Sequence, residues 1–565
     1  MGRARWIDTL SPLVLVGMVL ALSRAAGAVG VLPVLGLFRG PLGLLLLVGA
    51  AGLALVRAYG PRGRAESHSE RASLRASTGD SSILNRHRPL ILFALGAAVS
   101  IAAGLADTSR LRVSGDEPHY LIMAQSLWRD GDLDLENNFA HEDYLEYTPG
   151  PVRPHYGAPR RDGRPYPAHS PGLPVLLAPV YALAGRAGCV VLLALCGAVV
   201  AARTSTLARR MGADDGAALW AWAAAVGPPV AYYSFHMYTE APSALAVVLA
   251  LELLLGPPTV AGALAAALVT SLLPWFHVKM LLAAVALGVV GLGRLRGRPL
   301  AAFVATSAAM ALAYGLYYQS LFGRPTPLAI YGGIPADISG SPWRALVGLL
   351  LDRSFGLLPH APLFLLALPG LAWIARRWRA SWPLLLVLAV TLAPVLLWRM
   401  WWGGQCPPAR FLVPMLPFLV VALALRLARS STGLARWWRG LLLTGAVLSA
   451  VAVAEPAARL LLNRGNRPTR LWAALSDGAP IGDYLPTLTH ASERDARVAL
   501  VWIVAFGVLL VLDRLADRDP RVDRAFSSFA AAVAAVLLLG IVIDLGVGPP
   551  TPAPLPAPVA LDEAG

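Results

Sequence analysis

Apolar residues in this chain come in long unbroken stretches rather than in one-faced stripes. Runs near 18 residues recur from residue 10 to residue 546, separated by short polar connectors. A bilayer core takes about 20 apolar residues from one helix and leaves no backbone group unpaired. The pattern therefore predicts an all-α polytopic membrane protein with about 15 transmembrane helices. The expected spans are 10–29, 41–57, 89–106, 172–202, 216–233, 241–255, 259–275, 278–293, 299–318, 357–376, 382–399, 411–427, 438–454, 497–513 and 526–546. The 172–202 stretch reads as one net crossing preceded by a surface helix.

Arginine sets the orientation. Arg57, Arg62, Arg64, Arg71, Arg75, Arg86 and Arg88 crowd the connector before the third span. Further groups are Arg203/Arg209/Arg210, Arg294/Arg296/Arg298, Arg376/Arg377/Arg379, Arg426/Arg429/Arg436/Arg439 and Arg514/Arg518/Arg521/Arg524. With the spans taken in order, every group falls on one side, which the positive-inside rule makes cytoplasmic, along with the N-terminus. Asp116, Glu240, His277, Asp352, Gln405 and the 455–496 loop then share the extracytoplasmic face. Arg3 and Arg5 ahead of Leu13–Leu22 imitate a secretory signal, but Arg24 and a further apolar run favour two uncleaved spans.

The polar stretches divide the chain further. Residues 1–88 form a two-span extension ending in the arginine-rich connector. Residues 89–454 form the main transmembrane module, with 107–171 as its large first outer loop. That loop is acidic early, from Asp130 to Glu146, and rich in Pro, Tyr and Arg later. Within it, Tyr120, Met123, Ala124 and Leu127 recur at helical spacing, which predicts an amphipathic helix over 119–128 lying on the membrane surface. Residues 455–546 add an outer loop and two spans, and 547–565 is a proline-rich tail with little to bury.

Composition agrees. Of 565 residues, 56% are hydrophobic and only 14% charged, where a soluble chain carries roughly 25% charged. The net charge of +15 does not point to nucleic acid, because the arginines sit in connectors and no DNA-reading pattern is present. Cys189, Cys196 and Cys406 lack metal-ligand spacing and read as small buried apolar residues.

Three stretches can carry chemistry. In Ser114-Gly115-Asp116-Glu117-Pro118-His119-Tyr120, two carboxylates follow an apolar run directly. They serve either as caps for the next helix or as chemical groups, with Asp116 free and Glu117 capping as a combined reading. In Pro274-Trp275-Phe276-His277-Val278-Lys279, Lys279 is the only lysine in the chain. It is either a snorkelling interfacial residue or a point charge for a phosphate. In Trp398–Arg410, the tryptophans form an interfacial belt, whereas Arg410 runs against the positive-inside trend and can grip a phosphate bidentately. Asp352, Arg353 and Tyr238-Thr239-Glu240 stand at two more outer span ends.

The first-loop stretch after an early span resembles that of the GT-C superfamily of membrane glycosyltransferases, which includes protein O-mannosyltransferases and lipid A aminoarabinose transferases. The segments LIMAQSLWRDGDLDLENNF, Tyr238-Thr239-Glu240, LPWFHVK, DRSFGLLPHAPLFLL and GGQCPPARFLVPMLPFL are similar to bacterial members in the same order. The resemblance spans about residues 89–454. It implies a polyprenyl-phosphate-linked sugar as donor, presented at the outer leaflet, and a hydroxyl acceptor on a glycan, lipid or protein. It implies Asp116 as the general base of an inverting transfer, with Glu117 beside it. It assigns Lys279, Arg410, His277 and Arg353 to the donor phosphate, and His119, Tyr120, Glu240 and Asp352 to the acceptor side. The resemblance gives Glu117 and Glu240 either the orienting of the acceptor or, as in some relatives, a divalent cation; no complete metal-ligand set is visible, so a cation is compatible with this reading and not required by it. A transporter or flippase is the main alternative, kept by Glu252 inside an apolar run. A polymer ligase using lipid diphosphate donors is another.

Overall fold

The structure is a computed structural model that describes residues 17–39 in part, 83–109, 113–335, 337–429, 472, 481–516, 518 and 529–547. Among the described residues the chain is helical, with one isolated antiparallel bridge between Tyr156 and Pro167. Five stretches are long and apolar enough to cross a membrane: Arg88–Thr108, Gly172–Arg210, Gly297–Tyr331, Arg410–Leu427 and Glu493–Leu515. The expected spans 41–57 and 438–454 and the 547–565 tail lie outside the described residues, apart from Val547, as do most of 10–29 and of the 455–496 loop. The five long stretches thus establish a multi-helix membrane architecture and not the expected number of spans.

The helices used below are α1 (Ile83–Thr108), α2 (Glu117–Arg129), α3 (Gly172–Arg210), α4 (Asp215–Val226), α5 (Glu240–Leu255), α6 (Val260–Phe276), α7 (Leu281–Arg294), α8 (Gly297–Phe322), α9 (Pro342–Leu351), α10 (Ala367–Arg376), α11 (Trp378–Leu397), α12 (Leu416–Leu427), α13 (Glu493–Ala516) and α14 (Phe529–Gly546). The long α3 is the centre, packed against α1, α2, α4, α5 and α12. Its buried face alternates Val190, Leu193, Val200 and Leu207 with Gly188, Ala194, Gly197 and Ala201. Small residues let helix backbones approach closely in an apolar solvent, where packing rather than water exclusion drives association. At Gly197, an added Cβ would run into the Ser234 side chain.

Three expectations need correction. The 172–202 stretch extends to Arg210 and breaks at Ala184 and Gly185, where Gly185 takes a φ of +55°; the break divides the helix as the reading of one crossing plus a preceding segment requires. The 216–233 span ends at Val226 because Pro228 and Pro229 follow, and proline cannot donate to a continuing helix. The helix at 119–128 runs from Glu117 to Arg129 and is no surface helix. Tyr120, Leu121, Ile122, Met123 and Ala124 are all at most 1% exposed. Helix α3 covers one side of it, and Tyr144 and Tyr147 of the loop join the same core. The acids of that loop are spent locally: Glu146 accepts from Gln125 (2.7 Å) and Arg129 (2.9 Å), and Asp130 from Asn138 (2.9 Å). All three cysteines are buried and unpaired, as their spacing suggests.

One buried ion pair ties the C-terminal part to this bundle. Arg426 of α12 meets Asp513 of α13 through Nε–Oδ2 at 3.0 Å and Nη2–Oδ1 at 2.9 Å, with the two side chains 7% and 2% exposed. Removing one partner of a buried ion pair typically costs about 3–5 kcal/mol. Asp513→Ala is therefore expected to lower the thermal midpoint of detergent-purified protein markedly, whereas an Arg426→Met/Asp513→Leu pair recovers most of the loss. A single variant as stable as the native chain would remove this pair from the account.

Candidate active site

The stretch between α1 and α2 is placed by a glycine. Gly115 has a φ of +60°, and an added Cβ would collide with the Gln405 carbonyl and lie 2.6 Å from the Tyr238 hydroxyl. That close approach lets Tyr238 donate to the Gln405 carbonyl at 2.9 Å. The loop before Arg410 is thus drawn onto the start of α2.

Asp116 occupies the N-cap position of α2 but makes no capping bond with its side chain. Its carboxylate turns instead to Arg410, with Oδ2 accepting from Nη2 at 2.6 Å. The same guanidinium donates from Nε to Glu240 Oε1 at 2.8 Å and from Nη1 to the Gly403 carbonyl at 2.9 Å. It lies over the Tyr238 ring, 4.4 Å from its centroid. Arg410 and Glu240 are buried, while 29% of the Asp116 side chain still faces solvent. Burial pushes the Asp116 carboxyl up, but the charge of Arg410, then that of His169, and the Arg410 hydrogen bond outweigh it. The group is held well below the ordinary carboxylate range.

Lys279 stands on the turn between α6 and α7, its ammonium 3.1 Å from the Phe411 ring centroid. Arg410 lies 5.7 Å from the same ring. Two cations therefore share one aromatic side chain, and among the described residues Lys279 has no carboxylate in contact. His277 caps the turn by accepting the Lys279 backbone N–H at 3.1 Å. Lys279, His277, Glu240, Thr239, Ser243 and Phe411 line a cavity of about 20 Å³, room for a single water.

Of the remaining candidates, Glu117, Asp352 and Arg353 separate from this group, whereas Tyr120 stays close enough for Asp116, Arg410 and Glu240 to act on its hydroxyl. Glu117 is 1% exposed. It accepts from the Ser114 N–H at 3.1 Å, from the Met237 N–H at 3.0 Å and from His236 at 3.3 Å, so it holds the loop to the turn before α5. Asp352 is fully buried and accepts three backbone N–H bonds, from Ser354, Phe355 and Leu488, which makes it a cap. Arg353 turns to Asp483 at 2.8 Å. Tyr120 is buried against His169. Glu252, the reason for a transporter reading, is met by Arg203 and Arg210 at the far end of α5, not left free within the bundle.

Among the described residues the acids do not converge as a metal-ligand group. Asp116 and Glu240 are both engaged by Arg410, and Glu117 by His236 and two backbone donors, so no three of them converge. The residues that do converge are imidazoles. His119, His155 and His169 bring ligand nitrogens within 4.8 Å of one another. None of the spacings hints at this, although four of the ten histidines fall within 107–171, and that density was the available signal. Burial and the neighbouring His155 push the His119 imidazole down to about 4. Burial, against the pull of Asp116, pushes His169 down to about 3.

No family model matches the chain, and no curated protein sequence matches it. Among solved structures the chain is similar to ArnT from Cupriavidus metallidurans bound to undecaprenyl phosphate, at 16% identity and a TM-score of 0.46, covering 82% of this chain and 78% of that one. It is also similar to the archaeal oligosaccharyltransferase AglB from Archaeoglobus fulgidus in complex with an inhibitory peptide and a dolichol-phosphate. There the identity is 15% and the TM-score 0.38, covering 70% of this chain and 57% of that one. The Archaeoglobus fulgidus oligosaccharyltransferase tethered with an acceptor peptide gives 16%, 0.41, 74% and 57% in the same order.

The Glu117–His236 pair makes stability depend on pH. Burial alone lowers the His236 imidazole, but the charge and hydrogen bond of Glu117, with Asp107 adding and Arg186 opposing, raise it above 6.5. Burial raises Glu117, yet His236 and the Met237 N–H bring it below 4.5. A raised histidine stabilises fully below its unfolded value and loses that contribution as pH rises through its folded one. A depressed glutamate stabilises above its unfolded value and loses it as pH falls through its folded one. The native chain's advantage over His236→Gln in thermal midpoint should thus be greatest at mildly acidic pH, about 5–6, and shrink on going alkaline. An advantage that is flat into the alkaline range would contradict the pairing.

Proposed function

We propose that this chain is an integral membrane glycosyltransferase that moves a sugar from a polyprenyl-phosphate donor to an acceptor hydroxyl, with inversion, at the extracytoplasmic face. The observation that carries the reading is the contact between Asp116 and Arg410, with Lys279 on the same aromatic ring. An acid able to take a proton stands against two cations able to hold a phosphate, at one end of the bundle. The arginine-bearing ends of α3 and α7, at Arg209, Arg210 and Arg294, lie at the other end, which supports the orientation. In this reading residues 89–454 are the catalytic module, preceded by the 1–88 extension and followed by 455–546 and the 547–565 tail.

The chemistry is a single displacement. Asp116 accepts the proton of the acceptor hydroxyl as that oxygen bonds to the anomeric carbon from the side opposite the donor phosphate. The anomeric carbon–oxygen bond to phosphate breaks, and its electron pair leaves on the phosphate, giving the lipid phosphate as leaving group. Base assistance of this kind is worth roughly 10²–10⁴-fold. Lys279 and Arg410 stabilise the charge that collects on the phosphate. In the resting arrangement Arg410 suppresses the basicity of Asp116. A donor phosphate that draws the guanidinium's charge toward itself relieves that suppression, so donor binding readies the base. Room for one water beside Lys279 means that side chains shift to admit the donor.

Asp116→Asn should lower transfer by at least 100-fold in purified vesicles, on the scale of general-base help, while donor binding persists. Lys279→Met should raise the apparent donor KM more than it lowers kcat. It is the cleaner phosphate test, because replacing Arg410 leaves Asp116 and Glu240 unpaired and threatens folding. Wild-type transfer by Asp116→Asn would remove the base. An unchanged donor KM in Lys279→Met would return the phosphate to Arg410 alone.

A further inference from the structure

The imidazole cluster of the first loop has no task in the displacement just described. Its members come from three separate places: His119 from the first turn of α2, His155 from an extended segment, and His169 from the residues just before α3. Their ring centroids are 5.5, 5.3 and 5.0 Å apart, pair by pair. His155 Nδ1 and His169 Nε2 approach to 3.2 Å. Two zinc–nitrogen bonds of about 2.05 Å at a tetrahedral angle put their nitrogens about 3.3 Å apart, so this pair already has the spacing of two ligands. The third ring needs only a side-chain adjustment.

The scaffold beneath the rings is built rather than incidental. The Ala168 N–H donates to the His155 carbonyl at 2.9 Å, and the Gly157 N–H to the Tyr166 carbonyl at 2.8 Å, around the Tyr156–Pro167 bridge. This short ladder pairs His155 with Ala168 and so brings His169, the next residue, beside the His155 ring. His119 is held by α2, where its own N–H donates to the Asp116 carbonyl at 3.1 Å. Apart from these contacts, Tyr120 packs on His169, with ring centroids 4.9 Å apart. Among the described residues, the bond between His155 and His169 is the only side-chain hydrogen bond any of the three makes. His119 and His169 are half-buried, and ring nitrogens withdrawn from water in this way gain from a bound partner.

We propose that His119, His155 and His169 form a binding site for a divalent transition-metal ion of the zinc class. Imidazole nitrogen favours zinc and its neighbours over magnesium or calcium, which take oxygen. Three imidazoles leave one coordination position for water or a substrate oxygen. His155 is exposed, so that position has access from outside. The ion fastens the beginning, the later part and the end of the 107–171 loop to one another beside Asp116. The proposal concerns these side chains alone and stands whether or not Asp116 transfers a sugar.

The test uses the full chain purified in detergent, stripped with a chelator and titrated with Zn²⁺, and separately with Co²⁺ as a spectroscopic reporter. About one zinc per chain is expected, with cobalt absorption bands of a four- or five-coordinate nitrogen site, and an excess of Mg²⁺ should not displace either ion. His155→Ala and His169→Ala should each weaken zinc binding at least tenfold, and His490→Ala, at an exposed position elsewhere, should not. Zinc should raise the thermal midpoint of the native chain and not that of His155→Ala; as His155 is exposed, its variant should match the stripped native chain in midpoint. The proposal is overturned if the native chain retains no zinc at micromolar concentration. It is equally overturned if His155→Ala and His169→Ala bind zinc as tightly as the native chain.

Discussion

A guanidinium buried between two carboxylates organises the proposed catalytic end of this molecule. Arg410 reaches Asp116 across 294 residues of sequence and Glu240 across 170. Bringing an ion out of water costs several kcal/mol unless its partners are well placed. Here every part of the fork is used, by two acids, the Gly403 carbonyl and the face of Tyr238. The two acids also stand where helices favour negative charge, Asp116 at the N-cap of α2 and Glu240 in the first turn of α5. The ion bridge therefore pins two helix N-termini to the turn that begins α12, and whatever disturbs one end is felt at the other two.

Much of this was legible in the chain. Long apolar runs gave the helices, and the departure of Arg410 from the arginine pattern singled out the residue on which the site turns. Other features were opaque for physical reasons. Periodicity in 119–128 reports one apolar face, but not that α3 and the loop's own tyrosines cover the rest. A charge at an outer span end looks the same whether it grips a ligand or caps a backbone, so Asp352 and Arg353 read like Asp116 and Arg410. Only the partners separate them: three backbone N–H groups for Asp352, Asp483 for Arg353. The three histidines are brought together by a two-rung ladder and a helix turn, and no spacing along the chain encodes that meeting.

The charge balance around the cavity bears on how a phosphate would be used. The formal charges of Asp116 and Glu240 against Arg410 and Lys279 sum to zero, yet the arrangement is lopsided, since Arg410 serves both acids while Lys279 rests on Phe411. An ammonium on an aromatic face gains about 0.5–2 kcal/mol, less than a close carboxylate could supply. Lys279 is thus the cation with charge to spare, and Arg410 the one that must exchange partners. Their chemistries suit those parts: the compact ammonium accepts an anion from several directions, and the rigid fork changes the acids' proton affinity when it turns.

In the proposed transfer, this division of labour favours the transition state over the bound donor. A lipid phosphate still esterified to sugar carries one negative charge, and once the sugar departs it approaches two, with a second pKa near 6. Two fixed cations therefore interact more strongly with the departing phosphate than with the intact donor. That differential is what accelerates a chemical step, whereas equal affinity for both would only tighten binding. The same electrostatics hold the spent lipid firmly, so a site built this way releases its lipid product slowly unless Asp116 and Glu240 reclaim Arg410. The buried ion bridge is then the force that resets the site as well as the one that assembles it.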